Sequence, residues 1–137
     1  MNFEYAFGQH SGVIDETKDF YELPRFPINE KYGEIKRFNS LTKTLPFKYK
    51  KIYPEEKYLL QSKNPPAVKI EFYENIKNLK SLSCYSNEAD KWRQSNIKFE
   101  SSNTLLININ EKFVGERGRI NCSLRDPSGF WRWLGVQ

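Results

Sequence analysis

Beyond Pro46 apolar and polar residues alternate with a period of two, the spacing that sends side chains to opposite faces of a β-strand. Val68, Ile70 and Phe72 alternate with Lys69, Glu71 and Tyr73. Leu105, Ile107 and Ile109 alternate with Leu106, Asn108 and Asn110, and Ile120, Cys122 and Leu124 with Asn121 and Ser123. Leu82 and Cys84 share a parity, as do Ile97 and Phe99, and Trp131 and Trp133. Six short runs at spacings of roughly ten residues, separated by Asn, Ser, Gly or Pro, predict a β-sandwich or barrel. Asp126-Pro-Ser-Gly129 is the clearest turn and predicts a hairpin joining the last two strands.

Residues 1–46 follow a different pattern. Phe3, Tyr5 and Phe7 alternate as a strand would, until Gly8 and Gly12 interrupt them. Leu23-Pro-Arg-Phe-Pro27 carries two prolines, which disfavour a regular helix or a central strand. Asn29 to Leu45 is predicted as one helix: Asn29 can cap it, and Tyr32, Ile35, Phe38 and Leu41 recur at helical spacing. Pro46 ends it. The expected division is therefore an irregular, partly helical appendage over 1–46 and a sandwich over 47–137. The alternation at both ends, in residues 3–7 and 133–137, predicts a piece of a longer polypeptide.

Composition is that of one domain able to bury a core: 137 residues, 38% hydrophobic and 15% aromatic. No apolar run approaches the roughly 18 residues of a membrane span. The first residues have neither the basic nor the apolar region of a signal peptide. The net charge is +5, but acidic residues are interspersed with the basic ones, and the densest basic run is Lys48-Tyr-Lys-Lys51. That distribution argues against nucleic acid as the partner.

Candidate chemistry is sparse. His10 is the single histidine and lies between glycines in Gly8-Gln-His-Ser-Gly12; a hydrogen-bonding loop residue fits better than a catalytic base, because adjacent Ser11 cannot complete a triad with it. Asp15, Glu16 and Asp19 lack the ligand rhythm of a calcium loop. Gly115-Glu-Arg-Gly-Arg119 lacks the Gly-Lys-Ser ending of a phosphate loop and reads as a turn with Arg117 and Arg119 outward. Two cysteines and one histidine without paired spacing do not make a zinc site, and no cofactor is expected. Cys84 and Cys122, inward on separate strands, are read either as a disulfide or as two buried thiols.

The aromatic and arginine set is richer. Trp92, Trp131 and Trp133, with Tyr85, Arg119 and Arg132, are candidates for a surface on which sugar rings stack while Arg and Asn bond their hydroxyls. The competing reading places alternate tryptophans in the core.

Several segments resemble a known family. Tyr5-Ala-Phe-Gly-Gln-His-Ser-Gly12, Leu23-Pro-Arg-Phe-Pro27 and Asn29-Glu-Lys-Tyr-Gly33 are similar to the end of a bacterial polysaccharide deacetylase domain of the chitooligosaccharide deacetylase type. Asn64-Pro-Pro66, Ser83-Cys-Tyr85, Gly118-Arg-Ile-Asn-Cys122 and Gly129-Phe-Trp-Arg-Trp133 are similar to a β-rich extension after that domain. The resemblance implies that 1–46 is a remnant of the catalytic domain and that the rest is an Ig-like or fibronectin-like antiparallel sandwich. It implies a periplasmic or envelope location, which favours the disulfide. It also implies a parent enzyme that removes acetyl groups from N-acetylated glycans with a metal.

This chain departs from that pattern at the chemistry. The family's metal site needs an Asp-Asp pair and two histidines; here there is no Asp-Asp dipeptide and one histidine, so no catalytic or metal residue carries over. The reading is a non-catalytic accessory module of such an enzyme, binding polysaccharide or bracing the enzyme. Its partners would be a glycan, the catalytic domain or a second copy of the chain. Alternatives are a protein–protein interaction sandwich and, third, a nucleic-acid-binding barrel.

Overall fold

The computed structural model describes residues 2–137; Met1, the first residue of the expected appendage, lies outside them. Two sheets face each other as a β-sandwich. One carries five strands in the order β1 (Leu45–Pro46), β9 (Trp131–Val136), β8 (Ile120–Arg125), β4 (Ser83–Glu88) and β5 (Lys91–Gln94). The other carries four in the order β2 (Lys51–Tyr53), β3 (Ala67–Glu71), β7 (Thr104–Asn108) and β6 (Asn96–Ser101). Neighbours are antiparallel except for β1 on β9.

Except in β9, where Leu134 and not the Trp131 and Trp133 parity turns inward, the inward faces are the apolar parities read from the sequence. Val68 and Ile70 from β3, Leu105 and Ile107 from β7, Cys84 from β4, Ile120, Cys122 and Leu124 from β8, and Leu134 from β9 form one buried cluster. Each buried aliphatic side chain contributes about 1.5–3 kcal/mol by leaving water. Cys84 and Cys122 sit directly opposite each other on neighbouring strands and are disulfide-bonded, with Cα atoms 4.1 Å apart. The bridge therefore staples one sheet rather than joining the two. Asp126-Pro-Ser-Gly129 makes the β8–β9 hairpin: the Gly129 N–H donates to the Asp126 carbonyl, the Asp126 carboxylate accepts from the Phe130 N–H, and Gly129 takes φ 89°.

Four local expectations are corrected. The helix is shorter than 29–45 and spans Ile35–Leu41. Asn29 does not cap it; its carbonyl and its side-chain oxygen both accept from the Tyr32 N–H, closing a separate turn, and extended Glu34 (ψ 134°) precedes the helix. Leu45–Pro46 leaves the helix altogether and pairs with Arg132 and Trp133 at the sheet edge. The alternation at Phe3, Tyr5 and Phe7 yields no strand, only a parallel bridge from Phe7 to Leu23, with all three rings exposed. Two further strands, β2 and β5, had no alternating signal. β5 exists because Ala89 and Asp90, at φ 46° and 63°, make a two-residue hairpin turn that lays it against β4.

A buried polar cluster holds that hairpin in place. Ser86 Oγ donates to Glu88 Oε1 at 2.6 Å and lies 2.8 Å from Ser95 Oγ, while Glu88 Oε2 accepts from the N–H groups of Asn110 and Glu111 at 3.0 and 2.8 Å. Burial opposes the charge on Glu88, yet these donors outweigh it and hold the carboxyl below its ordinary value of 4.5. A depressed carboxyl contributes stability that is complete above the unfolded value and lost as pH falls through the folded one. Glu88→Ala leaves two backbone donors unpaired and is expected to cost about 2 kcal/mol in urea unfolding at neutral pH. Below about pH 4.5 the gap between Glu88→Gln and the parent chain should narrow; a constant gap across that range would contradict this role for the carboxylate.

Candidate functional site

The outward face of the five-stranded sheet is polar and aromatic. Strand alternation places Trp131, Trp133 and Gly135 of β9, Asn121 and Ser123 of β8, Tyr85 of β4 and Trp92 of β5 on this side, opposite the core. The N-terminal arm, residues 2–34, lies across it. Its contact point is Gly135: a Cβ there would stand 1.7 Å from the Ser11 carbonyl oxygen, so only glycine admits the arm. Buried Leu23 and Pro24 and the edge-to-face pair of Phe26 and Trp133, 5.3 Å between centroids at 82°, complete the seat. At its rim Lys48 pairs with Glu16 at 2.5 Å and Lys57 with Glu22.

Between arm and sheet runs a cleft of about 850 Å³. The sheet supplies Tyr85, Trp92, Asn121 and Trp133, the loop entering β8 supplies Arg119, and the arm and the start of α1 (Ile35–Leu41) supply Arg25, Tyr32 and Arg37. The Arg119 guanidinium sits 5.8 Å from the centroid of Trp92, and that of Arg37 5.2 Å from Tyr32. Arg37 donates to the carbonyls of Pro27 and Tyr32 at 2.9 and 2.8 Å, and Arg25 Nε to that of Gly8 at 3.1 Å. Arg119 Nε and Trp133 Nε1 are buried donors without a partner among the described residues. Trp92 and Tyr85 each keep 43% of their surface in solvent.

The candidate residues fall in three places. Trp92, Arg119 and Trp133 come together in the cleft. Trp131 shares their face but lies beyond the cleft, 37% exposed, with Arg125 5.9 Å from its ring. Arg132 belongs to the opposite parity, with Leu134, and its Nε donates to Asp126 Oδ2 at 3.0 Å, so it is outside the site. None of the three tryptophans belongs to the sandwich core; Trp133 is covered by the arm instead. Arg25, Tyr32 and Arg37 carry no sequence signal for this role, since Tyr32 reads as one apolar position of a helix.

The remaining candidates are occupied locally. His10 is half-buried in the arm with Nδ1 unpartnered among the described residues; burial lowers its pKa, Glu22 opposes this, and Lys18 and Lys57 add to it. Asp15 accepts from Thr17, Asp19 from the Tyr21 N–H, and Glu16 pairs with Lys48, which leaves the three acids dispersed. Arg117 is exposed on its turn. Among the described residues no three His, Cys, Asp or Glu side chains gather as a metal site would. Compared with known proteins, the chain matches no family model, no curated protein and no solved structure.

Proposed function

We propose that this chain is a non-catalytic glycan-binding module, accessory to a polysaccharide deacetylase that acts on N-acetylated envelope or extracellular glycans. The observation that carries the binding role is the cleft: open faces of Trp92 and Tyr85 beside Arg119, Asn121 and Ser123. Aromatic faces match the C–H face of a pyranose, and guanidinium, amide and hydroxyl groups bond its rim. Its volume falls within the roughly 300–1,000 Å³ of small-ligand sites. The link to a deacetylase rests on the sequence segments that resemble that family, and the non-catalytic assignment on one histidine and no Asp-Asp pair. A Cys84–Cys122 bridge supports an oxidising compartment.

Titration with chitooligosaccharides and with acidic oligosaccharides, followed by tryptophan emission and calorimetry, tests the reading. A saturable response is expected, weakened about fivefold or more in Trp92→Ala, the value of one lost aromatic stack. Silence with every glycan at millimolar concentration would refute it.

A second reading draws on the arm's apolar surface. Phe3, Phe20 and Tyr21, with Ile35 at the start of α1, are each more than 60% exposed and fit a docking face for a catalytic domain or a second copy. A molar mass that rises with concentration would favour it.

A further inference from the structure

We infer that the cleft selects acidic glycans, specifically saccharides carrying a carboxylate such as uronic acids; this rests on the glycan-binding reading and narrows its ligand. Three guanidinium groups, Arg25, Arg37 and Arg119, line one cleft, and among the described residues no carboxylate lines it. None of the three takes part in an ion pair among the described residues, although seven ion pairs form elsewhere. Three cations converge there without a protein counter-charge.

Their geometry suits a planar anion. Arg37 and Arg25 are held by backbone carbonyls through one edge, which orients the remaining N–H groups. Arg119 is held over Trp92 with its buried Nε unpaired. A guanidinium presents paired donors that a carboxylate accepts side by side, and a hydroxyl does not. A uronate ring lying on Trp92 or Tyr85 puts its carboxylate at the rim, where these donors are. The same charges disfavour a glycan bearing free ammonium groups, so a fully deacetylated amino sugar is the wrong ligand for this cleft.

The test uses the full chain and four probes: an oligogalacturonate, its carboxyl-reduced oligogalactose counterpart, a glucosamine oligomer and an oligothymidylate. At low salt the oligogalacturonate should bind about tenfold or more tighter than the reduced form, the scale of one charge-assisted hydrogen bond. The preference should shrink with added salt. The glucosamine oligomer should bind weakest. Arg119→Gln should weaken the oligogalacturonate far more than the reduced oligomer and so erase the acid preference, and Arg25→Gln, at an exposed position, should lower that preference without disturbing the fold. Lys98→Gln, on β6 in the other sheet, changes net charge equally and should leave the preference intact. Equal affinity for the acidic and reduced oligomers would overturn the acid selectivity and leave glycan binding standing. Binding of no glycan would overturn both. Tighter binding of oligothymidylate than of oligogalacturonate would replace a glycan with a nucleic acid.

Discussion

Gly135→Ala is expected to lift the N-terminal arm from the sheet while leaving the sandwich folded. A methyl group there would stand 1.7 Å from the backbone oxygen of Ser11, and a backbone oxygen cannot rotate aside as a side chain can. Overpacking in a close contact typically costs up to about 3 kcal/mol, and this one is at the severe end. That is roughly a hundredfold gain in the undocked population. The arm would lose the seat of Pro24 and the pairing of Phe26 with Trp133, and the cleft would lose Arg25, Tyr32 and Arg37. Gly135 faces away from the cluster around Leu134, so the core is untouched. Tryptic cleavage after Arg25 should accelerate by about two orders of magnitude, because cleavage of an opened segment tracks its population. Emission from Trp133 should shift to the red as its cover leaves. Unchanged cleavage and emission would show that the arm finds another seat.

Removing the disulfide should act on the whole sandwich instead. Cys84 and Cys122 are completely buried and are 38 residues apart in sequence, so their bridge removes about 4 kcal/mol of freedom from the unfolded chain. Cys84→Ala together with Cys122→Ala also deletes two buried sulfur atoms from the core cluster. The melting temperature should fall by roughly 10–20 °C, and reductant should lower that of the parent chain but not of the variant. A variant melting within a few degrees of the parent would mean that β4 and β8 are held by their ladder alone.

What was legible in the sequence was whatever alternation encodes. Val68 with Ile70, Leu105 with Ile107 and Ile120 with Leu124 declare their inward face because a half-buried strand needs period two. β5 does not, because all four of its residues are exposed and it forms through the Ala89–Asp90 turn and pairing with β4. Apolar spacing over Tyr32, Ile35 and Phe38 predicts too long a helix because it says nothing of the Asn29 turn that competes for its first residues. In the candidate site, Trp92, Arg119 and Trp133 stood out by residue type. Arg25, Tyr32 and Arg37 meet them only through the long-range docking of the arm, and its signature in the sequence is a single glycine in Trp-Leu-Gly-Val, which reads as an ordinary strand residue until Ser11 lies on it.

The two sides of the cleft differ in how firmly they are held. Tyr85 and Asn121 stand next to the cross-linked pair in the middle of a sheet, paired on both sides. The opposite wall leads into α1, seven residues that bury none of their number and whose N-cap makes no side-chain bond. So short a helix has little stability of its own, and its position is set by its ends and by Arg37. A ligand in this cleft meets an anvil on one side and a spring on the other. On the proposed reading the sheet would fix which ring face stacks on Trp92 and Tyr85, both walls would supply the charge, and the arm would yield to the thickness and branching of the chain laid there.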